Sequence, residues 1–119
     1  MDLTSVADIV VEPGRRAMVP TGVAVAIPEG HAGLLLPRSG LASRQGLTLA
    51  NAPGLIDAGY RGEVICAVVN LDRDHAVHIA KGDRIAQLVV AAVPEAQCEW
   101  AEELPETPRG GGGFGSTGT

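Results

Sequence analysis

The sequence contains few of the residues that would indicate a secreted, membrane or disulfide-rich protein. Of its 119 residues, only 3% are aromatic and two are cysteines. Two cysteines are too few for a disulfide framework, and Cys66 and Cys98 match no metal-ligand spacing, so we expect reduced thiols in a cytoplasmic protein. No apolar run approaches the ~20 residues that a membrane span needs. The N-terminus has no basic region ahead of its apolar residues, which argues against a signal peptide.

Basic charge is also scarce. The formal net charge is −5, and residues 94–108 contain five glutamates and no basic residue. Nucleic-acid binding draws on clustered Lys and Arg that displace phosphate counterions, so this composition disfavours a nucleic-acid partner. An anionic ligand would have to be held by a few local arginines, backbone N–H groups or a metal ion.

The sequence is rich instead in short β-branched runs separated by turn residues. Apolar residues make up 45% of the chain, and breakers such as EPG (12–14), PEG (28–30), APG (52–54) and KGD (81–83) recur between the runs. This spacing predicts an all-β sandwich or barrel. Only residues 39–46 favour a short helix, with Ser39 as its cap and Gly46 as its stop.

One predicted strand, residues 63–70, is apolar on both faces. Alternation places Val64, Cys66 and Val68 on one face and Ile65, Ala67 and Val69 on the other. We therefore expect this strand either to be buried on both sides or to meet another subunit.

Three segments contain candidate catalytic or ligand-binding residues. In PRSGLA (37–42), Arg38, Ser39 and Gly40 stand where a strand gives way to a helix, a favourable place for an anion, although an ordinary helix start is an equal alternative. Ser39 is disfavoured as a nucleophile because no G-x-S-x-G surrounds it.

Residues 49–63 predict a hairpin with two glycine-bearing bends, in which Asp57 could deprotonate a water or could simply be a turn aspartate. The three histidines are interpreted as structural or solvated.

The third segment is the glycine-rich end, residues 109–119. It contains a literal G-x-G-x-x-G, but without the preceding strand and following helix that a dinucleotide site requires. Arg109 could pair with phosphate, the glycine amides could wrap an anion, and Phe114 could lie on a flat base. The alternative is a disordered tail.

Taken in order, five stretches resemble the five motifs of the homotrimeric deoxyuridine triphosphatase (dUTP diphosphatase) family. They are MDLTS (1–5), PRSGLA (37–42), GLIDAGYRGE (54–63), GDRIAQL (82–88) and RGGGGFGSTG (109–118). The first lacks the Ala-Gly pair that precedes the Asp-Leu pair in the family. Each motif alone is only weakly specific for the family, but five motifs in the family's order are highly specific.

The resemblance implies a distorted β jelly-roll barrel with at most one short helix. Residues 1–93 would form this domain, with the family's N-terminal strand missing; 94–108 would be an acidic linker and 109–119 a flexible lid. It also implies a homotrimer with active sites shared between subunits. Because the family has residues before its Asp-Leu pair, we further expect the natural protein to begin upstream of Met1.

The implied reaction is the Mg²⁺-dependent hydrolysis of dUTP to dUMP and pyrophosphate, which limits uracil in DNA and supplies dUMP for thymidylate synthesis. Asp57 matches the carboxylate that orients the attacking water, and Tyr60 matches the residue that excludes a 2′-hydroxyl. Asp2 would approach the ion at most through water. The residues implied to bind substrate are Arg38, Ser39, Gly40, Asn51, Gly54, Ile56, Tyr60, Gln87, Arg109, Phe114, Gly115, Ser116 and Thr117.

Two alternatives accompany this prediction. A dCTP deaminase shares the jelly roll but is not expected to carry the Arg-Phe tail. An inactive or regulatory trimer that binds nucleotide without turnover is suggested by the incomplete first motif.

Overall fold

The protein is described by a computed structural model that covers residues 1–112. It contains nine strands and one short helix, in agreement with the all-β prediction. In chain order these are β1 (Asp2–Thr4), β2 (Ile9–Val11), β3 (Arg16–Ala24), β4 (His31–Pro37), α1 (Ser39–Gln45), β5 (Leu47–Leu49), β6 (Gly54–Ile56), β7 (Glu63–Asn70), β8 (Val77–Ile79) and β9 (Arg84–Ala92).

The strands form three antiparallel sheets. The largest has the order β1-β9-β4-β6, the second pairs β2 with β8, and the third has the order β3-β7-β5. Sequence neighbours are therefore often separated in space, and the first strand pairs with the last, Asp2 opposite Gln87. This topology brings the first and fourth sequence motifs together.

The core between the sheets is aliphatic, as the low aromatic content requires. Leu3, Val11, Val19 and Val68 are each at most 1% exposed, and burying a side chain of this size stabilises the fold by roughly 1.5–3 kcal/mol. Burial raises the pKa of the Cys66 thiol to about 11, so this cysteine is an uncharged core residue at neutral pH.

The alternation predicted for residues 63–70 is confirmed on one face of β7. Val64, Cys66 and Val68 are buried, as is Asn70, whose amide donates to the carbonyls of Val11 and His75 at 2.9 Å each. The opposite face is covered only in part, because Ile65 is 43% exposed. Burial on both faces is therefore not reached within one chain.

The helix prediction is correct in extent but wrong in its cap. Gly46 ends α1 in the left-handed region (φ 66°), where its N–H reaches the carbonyls of Leu41 and Ala42. At the start, however, Arg38 is the N-cap residue, with extended backbone, and Ser39 is already the first helical residue. The preceding strand β4 ends at Pro37, which leaves Arg38 as the residue between strand and helix.

The predicted hairpin over residues 49–63 is wrong in its pairing. Strand β5 pairs with β7 and strand β6 pairs with β4, so the two arms belong to different sheets. The segment crosses from one sheet to the other, and this crossing leaves a concave surface beside residues 57–62. No helix within residues 1–112 is long and apolar enough to span a lipid bilayer.

Candidate active site

Asp57 and Tyr60 lie in a tight loop, residues 57–62, that joins β6 to β7. The Asp57 carboxylate (Oδ1) accepts the Gly59 N–H at 2.8 Å, and the Tyr60 N–H reaches the Asp57 carbonyl at 3.3 Å. Arg61 closes the loop by donating to the carbonyls of Ala58 (2.7 Å) and Tyr60 (2.8 Å). Such local bonds explain why an aspartate two residues before a glycine forms a turn here. They leave the second carboxylate oxygen of Asp57 without a bond in the loop.

Tyr60 is held against the end of the loop. Its hydroxyl donates to the Glu63 carbonyl at 2.8 Å, and its ring passes close to Gly62. A Cβ placed on Gly62 would lie 2.5 Å from the Tyr60 hydroxyl oxygen. Glycine is therefore required at position 62 for Tyr60 to occupy this place.

A pocket opens between this loop and the end of β6. Asn51, Gly54, Ile56, Asp57 and Tyr60 line it together, with apolar walls from Leu35, Leu55, Val64 and Ile65. Gly54 allows the close approach of its neighbours, since a Cβ there would lie 3.1 Å from the Leu35 Cβ and 3.3 Å from the Asn51 amide nitrogen. Five residues predicted from sequence thus meet in one concave, partly apolar site, which we call the Tyr60 pocket.

A second group of predicted residues surrounds the Asp2 carboxylate. Arg84 donates to Asp2 Oδ2 and Gln87 to Asp2 Oδ1, both at 3.2 Å, while an Arg38 guanidinium nitrogen lies 4.0 Å from Oδ2. The Gln87 hydrogen bond and the Arg38 and Arg84 charges together lower the pKa of Asp2 below its ordinary value of 3.8. Arg84 thus links the fourth motif (82–88) to the first (1–5).

Beside this cluster lies a polar depression that we call the arginine pocket. It is lined by Arg38, Ser39, Gly40, Leu41, Arg44, Arg84 and Gln87. Arg44 folds back over the first turn of α1, where a Cβ on Gly40 would lie 2.9 Å from its guanidinium. Three arginines around one depression suit a multiply charged anion. Sequence reasoning missed Arg44, although its position four residues after Gly40 on a helix could have placed it there.

The two pockets share no lining residue, so one chain does not bring all predicted site residues together. Arg109 belongs to neither, and its side chain donates to the Gly112 carbonyl at 2.9 Å. The predictions for Phe114, Gly115, Ser116 and Thr117 lie outside the described residues.

The donor set around Asp2 is a poor metal site by itself. Both carboxylate oxygens already accept hydrogen bonds, and residues 1–112 contain no group of three or more His, Cys, Asp or Glu side chains placed to hold an ion. Such a site fits Mg²⁺ only if substrate phosphates supply most of the ligands, which is common for this ion.

Comparison with known proteins identifies the family. The family model described as dUTPase matches residues 1–118. The chain belongs to the dUTPase family.

Curated relatives support this assignment. The chain is 52% identical over 118 residues to the deoxyuridine 5′-triphosphate nucleotidohydrolase of Rhodococcus erythropolis, covering 99% of this chain and 72% of the relative. It is 56% identical over 117 residues to the protein of the same name from Cutibacterium acnes, covering 98% and 77%. These names favour the hydrolase prediction over the deaminase alternative.

Solved dUTPase structures share the fold. The dUTPase of Staphylococcus bacteriophage 80alpha, solved with dUpNHpp, superposes with a TM-score of 0.91 at 34% identity, covering 99% of this chain and 85% of that one. A mutant dUTPase from phage phi11 of S. aureus, described as coordinating a structural Mg(II) ion, gives a TM-score of 0.78 at 31% identity, covering 86% and 82%. The all-β, dUTPase-like fold expected from the five motifs is thereby confirmed.

Proposed function

We propose that this protein hydrolyses dUTP to dUMP and pyrophosphate by attack of water on the α-phosphorus. The observation that carries the proposal is the Tyr60 pocket, where Asn51, Asp57 and Tyr60 converge in a dUTPase-family chain. Asn51 and the β6 backbone at Gly54 and Ile56 would read the uracil edge. A cytosine edge would leave polar groups unpaired there, which is a strong basis for discrimination.

Asp57 is the proposed general base. One of its oxygens is fixed by the Gly59 N–H, which orients the carboxylate, and the other is available to a water. Glu63, the other carboxylate near the loop, is a weaker candidate because it does not line the Tyr60 pocket, whereas Asp57 does. A carboxylate in hydrogen-bond reach of the water meets the geometric requirement for general-base catalysis.

The arginine pocket is the proposed phosphate site. Arg38, Ser39, Gly40 and Gln87 would contact the triphosphate, and Arg44 and Arg84 would add positive charge. Phosphoryl transfer depends mainly on positioning and charge neutralisation, and Mg²⁺ bound to the phosphates would supply part of the latter. Asp2 would hold Arg84 and Gln87 in place and reach the ion only through water.

The separation of the two pockets supports a homotrimeric assembly in which different chains complete one site. Ile65 and Leu55, on the outer faces of β7 and β6, are 43% and 71% exposed and would be covered by a neighbour. Residues 109–119 would close over the site from a third chain, with Phe114 on uracil and Arg109, Gly115, Ser116 and Thr117 on phosphates. Sedimentation equilibrium should then give three times the 12.2 kDa chain mass.

The decisive test is incubation of the protein with dUTP and Mg²⁺. We expect dUMP and pyrophosphate in equal amounts, with dTTP, dCTP and UTP as poor substrates. Release of ammonia from dCTP would instead identify a deaminase. Tight binding of dUTP in calorimetry without pyrophosphate release would identify a nucleotide-binding trimer and contradict the proposal.

A further inference from the structure

The loop that carries Asp57 and Tyr60 adjoins an irregularity in the neighbouring strand. The β3–β7 pairing is regular from Arg16 to Pro20, where Pro20 lies opposite Ile65, but its register shifts before Ala24 meets Glu63. Pro20 has no N–H to donate, and Gly22 adopts a φ of 69°. This bulge removes regular ladder bonds at the point where β7 emerges from the loop.

Thr21 supplies side-chain hydrogen bonds where the β3–β7 backbone ladder is interrupted. Its hydroxyl donates to the Val64 carbonyl at 2.6 Å and accepts the Val23 N–H at 3.3 Å. Thr21 is only 3% exposed, so its hydroxyl bond to Val64 is protected from competing water. A side chain in β3 thus fixes the second residue of β7.

Glu63, the first residue of β7, is held from the same bulge. Its Oε1 accepts the Gly22 N–H at 2.7 Å, a charge-assisted bond. Its backbone carbonyl is the acceptor for the Tyr60 hydroxyl at 2.8 Å. The position of Glu63 therefore decides where Tyr60 is anchored.

We propose that Thr21 and Glu63 form a clamp that positions Tyr60, and with it the loop 57–62, for discrimination against the 2′-hydroxyl. Both are positioning residues, since neither lines the Tyr60 pocket. The inference rests on the proposed function for the identity of the substrate. The loop is internally bonded through Asp57 and Arg61, so a shift at its β7 end would carry Tyr60 with it.

The first experiment compares Glu63→Ala with Glu63→Gln, which keeps an oxygen that can accept the Gly22 N–H. Glu12→Ala serves as a control, because Glu12 is an exposed glutamate outside both pockets. We expect Glu63→Ala to lower the ratio of kcat/KM for dUTP to that for UTP by about 10- to 100-fold, the range produced by a misplacement near 1 Å. Glu63→Gln should restore most of the ratio, and Glu12→Ala should leave it unchanged.

Thr21→Val and Thr21→Ser provide a second pair, in which only serine retains the hydroxyl. Thr21→Val should lower the same ratio, and Thr21→Ser should restore it. A loss of melting temperature in Glu63→Ala and Thr21→Val with an unchanged dUTP-to-UTP ratio would show a merely structural role and overturn the clamp.

The chain has one tyrosine, so the position of Tyr60 can be followed without catalysis. In protein labelled with ¹³C-tyrosine, the single set of ring signals should shift in Glu63→Ala and return toward the wild-type position in Glu63→Gln. Unchanged signals in Glu63→Ala would overturn the clamp. A wild-type protein that fails to hydrolyse dUTP would refute the proposed function alone, and the ring signals would still decide whether the clamp exists.

Discussion

Replacement of Gly62 by alanine should change nucleotide selectivity more than stability. The new Cβ would lie 2.5 Å from the Tyr60 hydroxyl oxygen, 2.8 Å from Cζ and 3.1 Å from Cε2. Ordinary contact begins at 3.4 Å, so the phenol oxygen must move by about 0.9 Å or the loop must open. The backbone of Gly62 needs no positive φ, so the clash with Tyr60 is the main effect.

The expected magnitudes follow from that displacement. Tyr60 is 41% exposed and can swing into solvent, so the main stability cost is its hydrogen bond to Glu63, about 0.5–1.5 kcal/mol. The melting temperature should fall by no more than about 6 °C. In contrast, kcat/KM for dUTP should fall by roughly 10- to 100-fold, while that for UTP changes little.

Pyrophosphate release from dUTP and UTP measures both values, and a double-mutant cycle supplies the control. If Gly62 acts only through Tyr60, adding Gly62→Ala to Tyr60→Ala should cause no further loss. Wild-type turnover and selectivity in Gly62→Ala would refute the assignment of sugar discrimination to Tyr60.

Three further predictions concern the base, the tail and the Asp2 cluster. Asp57→Asn retains the oxygen that accepts the Gly59 N–H but removes the proposed base. We expect kcat, measured by pyrophosphate release, to fall by about 10²–10⁴-fold, while the affinity for dUpNHpp in calorimetry is unchanged. A near-normal rate would place the base elsewhere. Deletion of residues 109–119 should leave the proposed trimer assembled, with a sedimentation mass three times that of the shortened chain. It should reduce turnover by orders of magnitude, because the proposed stacking and phosphate contacts would be lost together; full activity would show a merely solvated tail. The pKa of Asp2 is lowered by folding, so its carboxylate stabilises the fold above pH 3.8 and this contribution disappears as the pH falls through the lower folded-state pKa. Asp2→Asn should therefore melt below wild type at pH 7 and converge with it as the pH falls below the folded-state pKa of Asp2, and a difference independent of pH would contradict the ionic role.

Local features of the fold could be predicted from the sequence. The alternation of Val64, Cys66 and Val68 indicated the buried face of β7, and Gly46 indicated the end of α1, because periodicity and a left-handed cap depend on neighbouring residues only. The Ser39 cap failed because helix boundaries shift by a residue when a strand runs directly into the helix.

Nonlocal pairing could not be derived from the residues alone. The arms of segment 49–63 contain ordinary turn signals, but nothing in them specifies that β5 joins β7 while β6 joins β4. Likewise, Asp2 meets Gln87 across 85 residues, and Glu63 meets Gly22 across 41. The five-motif resemblance assigned both Asp2 and Gln87 to the implied active site, whereas nothing in the sequence indicated the contact between Glu63 and Gly22.

The place of β9 in its sheet has a consequence for how the chain acquires its fold during synthesis. β9 lies between β1 and β4, although it is the last of the nine strands within residues 1–112 to be made. Until residues 84–92 have left the ribosome, β1 has no partner in that sheet and one edge of β4 stays open. Long-range antiparallel pairing of this kind is slow to form, and open strand edges promote association between nascent chains. A chain that stalls before Arg84 would thus be a substrate for chaperones or proteases rather than a partly active enzyme.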